Sequence, residues 1–185
     1  MENKRIEYIF NVLLNIWIKY DIEDMEKLKG ISEIEYSSLQ NLHGKDFPYA
    51  ISIYLNKFAG ETLNIFSNIS NTYTGIMEAR NTANNLLNHY NKEIPKNSFV
   101  FGQRFGCTFF YFVDNETNNP EIYIMNEELN DSNEYELINV SMGCFTDWII
   151  NQTISGLLTC KDIKIEELKT IKLMLENIRD STDGI

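Results

Sequence analysis

Histidine occurs only twice in this chain, and cysteine and proline three times each. Each scarcity removes a class of chemistry. His43 falls in an expected helix-to-helix turn and His89 near an expected helix end, both read as surface side chains without a catalytic partner close in sequence. A zinc site needs ligands at close spacing, which two scattered histidines and three scattered cysteines do not supply. Cys107, Cys144 and Cys160 are odd in number and widely spaced, with no C-x-x-C pair. That usage predicts buried free thiols in a reducing compartment. The phosphate-binding loop, the nucleophile elbow and the H-E-x-x-H metalloprotease helix are all missing. Gly102-Gln103-Arg104-Phe105-Gly106 is no phosphate cradle either, because it is expected between strands with no helix after it.

Long apolar runs are missing too. Runs such as Phe109–Val113 fall far short of the ~20 residues that a spanning helix needs. The apolar pattern near the N-terminus is broken by Glu7, Asn11, Asn15 and Lys19, so no signal-peptide core forms. The expectation is a cytoplasmic protein with no membrane contact.

Positive charge is absent from one long stretch. Between Arg104 and Lys161 lie 56 residues without Lys, Arg or His. The same stretch holds nine acids: Asp114, Glu116, Glu121, Glu127, Glu128, Asp131, Glu134, Glu136 and Asp147. The rest of the chain therefore carries −2, which is −11 minus −9. Such a field repels nucleic acid and anionic membrane and attracts basic partners, or it serves simply as a solvated face. A glycosidase-like acid pair or a divalent-metal site needs carboxylates of the kind found at Asp114, Glu116, Glu121, Glu127, Glu128 and Asp131. These acids follow no EF-hand pattern and fall in expected turns, so the reading is a non-enzyme without metal or cofactor.

What the chain does have is packing mass: eleven Phe, ten Tyr and two Trp in 185 residues. Ile6, Ile9, Phe10, Leu13, Leu14 and Trp17 make one helical stripe. A short acidic piece, Asp21–Leu28, leads to Gly30. Ser32-Glu33-Ile34-Glu35 has capping-box spacing for a helix running to about Leu42. Pro48 suits the first turn of another helix, which buries Ile51, Tyr54, Leu55 and Phe58 and stops before Gly60. Glu61–Thr74 reads as irregular. From Gly75, Ile76, Ala79, Ala83, Leu86, Leu87 and Tyr90 keep the helical period.

After Pro95 the pattern turns to strands at Phe99–Phe101, Cys107–Val113, Glu121–Met125 and Tyr135–Val140. Turns are expected at Gly102–Gly106, Asp114–Pro120 and Asn130–Asn133. Cys107–Val113 is apolar on both faces and should be central; the short spacing favours antiparallel neighbours. A helix over Phe145–Ile154 should present Phe145, Trp148, Ile149 and Gln152 to the sheet. A last helix, capped by Asp162, should bury Ile165, Leu168, Ile171, Leu175 and Ile178 and fray from Asp180. The fold class is α+β: an antiparallel sheet of about four or more strands wrapped by helices, with extra N- and C-terminal helices, in one domain.

The order of these features resembles a known family. Ser32–Leu42, then Gly44-Lys45-Asp46-Phe47-Pro48 and Tyr54-Leu55-Asn56-Lys57-Phe58-Ala59-Gly60, is similar to the opening of the SUKH superfamily. Ile94–Gly102 followed by Gly106–Asp114 resembles its strand, glycine turn and strand ending in an acid. Pro120–Met125 resembles the next strand, and Val140-Ser141 through Phe145-Thr146-Asp147-Trp148-Ile149 its closing helix. The likeness covers Ser32 to Leu158, leaving an N-terminal extension over 1–31 and a C-terminal helix over 161–180. The glycine turn is sparser than usual for that family, and Glu61–Asn91 is longer and more helical.

The resemblance implies a bacterial immunity protein: one that neutralises a cognate toxin domain, such as a nuclease or deaminase, by direct binding, with no shared catalytic centre. The acidic stretch would then meet a basic toxin surface. On that reading the turns around Asp114–Asn119 and Asn126–Glu136 supply contacts, with Asp114, Glu116, Glu121, Tyr123, Glu127, Glu128, Asp131 and Glu134 as candidate partner-binding residues. A regulatory scaffold of the same fold, without a toxin, is the alternative. Either would be a monomer or weak dimer.

Overall fold

The computed structural model describes residues 2–66, 68–130, 132, 134–159 and 163–180. The expected Asp162 cap, Cys160, Asp131 and the tail after Asp180 lie outside the described residues. The chain folds as α+β; among the described residues it has six α-helices and one four-stranded antiparallel sheet.

The apolar stripe near the N-terminus becomes α1, Glu2–Lys19, which buries Ile6, Ile9, Phe10, Leu13, Ile16 and Trp17. Each such side chain, fully buried, contributes roughly 1.5–3 kcal/mol. The helix packs inside its own domain, against α3 (Tyr49–Phe58) and α5 (Phe145–Thr159). Trp17 meets Phe58 edge-on at 5.4 Å and donates its indole N–H to Thr153 Oγ1 at 3.0 Å. Thr153 and Thr146 are buried polar residues of α5, and the expected Gln152 is half-buried in a groove it shares with Phe110, Ile124 and Met142 of the sheet. At the end of α1, Asp21 adopts a left-handed conformation, and the amides of Asp21 and Ile22 return to the carbonyls of Ile18 and Trp17. This paired closure of a helix end directs the chain inward. Glu23 is buried as a result, and its carboxylate accepts the Ile65 amide at 2.7 Å. Burial pushes the Glu23 carboxyl above its ordinary range.

The Ser32 capping box forms as its spacing predicts and starts α2, Glu33–His43, which ends on left-handed Gly44. The stretch read as irregular holds a short helical turn, Asn64–Phe66, and a bridge from Ser70 to Gln103. Thr72 caps α4, Tyr73–His89.

The strands are β1 (Ser98–Arg104), β2 (Thr108–Val113), β3 (Glu121–Leu129) and β4 (Tyr135–Cys144), paired in sequence order. Gly102–Arg104, expected in a turn, belongs to β1, with a register irregularity between Val100 and Gly102. Asn126–Leu129, expected in a turn, instead pair with Tyr135–Ile138 at the start of the expected strand and form the far end of the β3–β4 ladder. β2 is apolar on both faces because both are covered. Phe110 and Phe112 join the main core, where Trp148 stacks on Phe66 and meets Phe101 edge-on. Phe109 and Tyr111 join a smaller cluster with Val100, Met125 and α4 residues Ala79, Ala83 and Leu87.

The last helix, α6, runs from Ile165 to Asp180 and buries Ile171 and Leu175. Ile165, expected on the buried face, is 71% exposed. No helix among the described residues is long and apolar enough to cross a membrane.

Candidate partner-binding surface

The sheet separates the candidate acids into two groups. Asp114, Glu116 and Glu121 lie where β2 ends and β3 begins; Glu127, Glu128 and Glu134 lie at the opposite, hairpin end. Strand rise places Glu121 and Glu128 about 23 Å apart. The described candidates therefore do not form one surface.

Asp114 turns inward. Its Oδ2 lies 3.1 Å from His43 Nε2 and 2.9 Å from Lys45 Nζ, and its Oδ1 accepts the Glu116 amide at 3.0 Å. Burial pushes this carboxyl up, but the Glu116 amide, Lys45 and His43 together outweigh it and hold it below the ordinary carboxylate range. His43, read from sequence as a surface side chain, is buried as the last residue of α2, stacked on Phe47 at 5.0 Å. Burial keeps its imidazole below the ordinary histidine pKa. This trio joins the end of α2 to the end of β2, with the Asp114 and His43 side chains buried and Lys45 half-exposed. Glu116 is exposed in the loop, with left-handed backbone.

Glu121 is exposed and bound within its own sheet. It accepts from the Ser141 hydroxyl and, at 2.7 Å, from the Tyr123 hydroxyl, and these two donors keep its pKa down. The half-buried Tyr123 ring stacks on Tyr111 at 5.4 Å, and Asn139 donates to the Tyr111 hydroxyl.

The hairpin end differs. Asn130 closes it by accepting the amides of Ser132 and Glu134 on its side-chain oxygen. Glu127 accepts from the Tyr90 hydroxyl just past α4, and Glu128 from Asn126. Glu128 sits directly opposite Glu136 in the ladder, the last residue of the contact turn expected over Asn126–Glu136. Like charges at facing positions destabilise a sheet. Among the described residues, none of Glu127, Glu128, Glu134 and Glu136 forms a salt bridge, whereas Glu61 and Glu167 do. Exposed apolar side chains share this end: the facing pair Leu129 and Tyr135 at 57% and 64%, and Phe105 of the β1–β2 turn at 82%. Tyr135 and Glu136 fall within the contact turn expected over Asn126–Glu136; what the sequence did not single out is their pairing with Leu129 and Glu128.

Among the described residues, no three of His, Cys, Asp and Glu gather so as to hold a metal ion. Cys107, expected to be buried, is exposed, and Cys144 is half-buried; both are free thiols. The chain is thus an α+β domain with an acidic hairpin end whose described acids form no salt bridge. Compared with known proteins, it matches no family model, no curated protein and no solved structure.

Proposed function

We propose that this chain is an immunity-type binding protein that neutralises a cognate bacterial toxin domain by covering a basic part of its surface. What carries the reading is the hairpin end, where Glu127, Glu128, Glu134 and Glu136 stand without salt bridges among the described residues, beside exposed Leu129, Tyr135 and Phe105. Clustered charge of one sign steers a complementary partner and speeds encounter, while an apolar contact at its centre slows release. The cost of Glu128 facing Glu136 is then relieved when a lysine or arginine arrives between them. The SUKH-like order of motifs over Ser32–Leu158 supports the same reading and suggests its bacterial, cytoplasmic setting.

The test is a rescue experiment. The C-terminal domain encoded immediately upstream is expressed in bacteria with and without this chain, and growth is scored. Growth lost and then restored, with a complex that co-purifies, is the expected result. A harmless neighbour, or toxicity that this chain leaves unchanged, removes the toxin and favours a scaffold without one.

A further inference from the structure

The two edges of the sheet are finished differently. Along β1, Ser70 and Gln103 exchange two backbone hydrogen bonds, at 2.8 and 3.1 Å, and α4 packs against the strand. β4 has no such backbone cover, and its helix contacts are with the adjoining α5. Beyond its ladder with β3, no backbone hydrogen bond among the described residues ties Tyr135–Met142 to another element. None of its ten residues is buried. In an antiparallel strand, alternate residues turn their N–H and C=O outward, so an edge of this length leaves roughly four or five residues unpaired.

Proteins usually blunt such an edge with lysine, proline, a bulge or a short strand. Tyr135–Cys144 contains no Lys, Arg or Pro, and its one charged residue is Glu136. The irregular backbone, at left-handed Gly143 and in the register between Glu121 and Tyr123, is confined to the C-terminal end of β4. Tyr135–Ser141 therefore offers a regular free edge.

Its side chains define what fits. On one face, Ile138 and Val140 stand opposite Asn126 and Ile124. That row runs into a groove lined by Ile65, Phe110, Ile124, Met142 and Gly156. On the same face, towards the hairpin, stand Glu136 and Glu128. A second copy of this chain would bring its own Glu136 and a net charge of −11, so charge disfavours self-pairing.

We propose that β4 accepts an extended segment of the partner as a fifth strand, with alternating aliphatic residues over Ile138–Met142 and lysine or arginine beside Glu136. Main-chain hydrogen bonds supply affinity in this mode, and alternate side chains supply specificity. The inference rests on the binding reading of the hairpin end and names how the partner docks there.

The test titrates the full chain with a synthetic peptide of alternating valine and lysine, about eight residues long to match the edge. A second peptide is N-methylated at alternate residues, which removes strand pairing but keeps charge and side chains. The expected result is slowed amide exchange over Ile138–Met142, with the methylated peptide bound at least about tenfold more weakly. Val140→Lys, on an exposed position, should weaken the first peptide about tenfold while leaving the circular dichroism spectrum unchanged. Equal binding of both peptides overturns strand addition and leaves the acidic-surface reading standing. So does absence of protection at millimolar peptide. A dimer abolished by Val140→Lys gives the edge to a second copy and overturns the assignment. Failed toxin rescue alongside normal peptide pairing counts against the toxin reading alone.

Discussion

Replacing Asp114 with Asn keeps the shape and removes the charge of the carboxylate that joins α2, Lys45 and the end of β2. In the folded chain this group faces His43 at 3.1 Å and Lys45 at 2.9 Å, while its other oxygen holds the Glu116 amide. A hydrogen bond to a charged group is worth about 1.5–3 kcal/mol. The His43 pair is buried on both sides, at 2% and 5% exposure, so its share stands near that value. Lys45 is 43% exposed, and solvent screening holds its share below about 1 kcal/mol. The Glu116 amide can still bond to the new amide oxygen. The expected loss in Asp114→Asn is about 2–3 kcal/mol, or roughly 5–10 °C in Tm for a chain of this size. Thermal and urea melts at pH 7 measure it. A second readout is sharper. Asp114 raises the His43 pKa against the larger effect of burial, so Asp114→Asn should lower that pKa further. A melting temperature within about 1 °C of the original, or a higher His43 pKa by NMR titration, refutes the buried trio.

Glu136→Lys turns the facing Glu128 from a repulsive into an attractive partner, so it should stabilise the fold by about 0.5 kcal/mol at low salt, a gain that molar salt abolishes; a loss of stability in urea melts contradicts the pairing. Gly30→Ala drives a Cβ into the Asn56 carbonyl and should cost ~1–3 kcal/mol in the same assay, whereas a neutral result places that contact elsewhere. Acid should destabilise the chain in two windows. The folded His43 pKa lies below 6.5, so below that pH the unfolded chain binds more protons and stability falls. Asp114 repeats this below 3.8. Glu23 acts in the opposite sense above 4.5: its folded pKa is raised, so it stabilises at low pH and that contribution is lost as pH rises through the folded value. Melts from pH 7 downward should therefore fall more steeply in Glu23→Gln than in the original chain, and parallel curves would remove Glu23 from the account.

Much of the fold was legible because it is encoded locally. The stripe Ile6–Trp17, the Ser32–Glu35 box and the doubly apolar Phe109–Phe112 each satisfy their own periodicity or cap. What escaped depends on distant partners. Thr153 is buried because Trp17 lies 136 residues away in sequence, and His43 because Asp114 lies 71 residues away. Asn126–Leu129 reads as a turn by composition, yet pairing with Tyr135–Ile138 continues the strand. The abundance of acid was plain in the sequence. Its division between a buried Asp114, a self-bonded Glu121 and a hairpin end without salt bridges among the described residues was not, because strand register decides it.

The central claim is that the acidic hairpin end meets a basic partner. Its most direct measurement is stopped-flow association of the purified toxin domain with the original chain and with Glu127→Lys, Glu128→Lys and Glu136→Lys combined, across a salt series. Electrostatic steering predicts a rate that falls steeply with salt for the original chain, and a variant at least about tenfold slower at low salt with little salt dependence. Equal rates and equal salt slopes would contradict the claim.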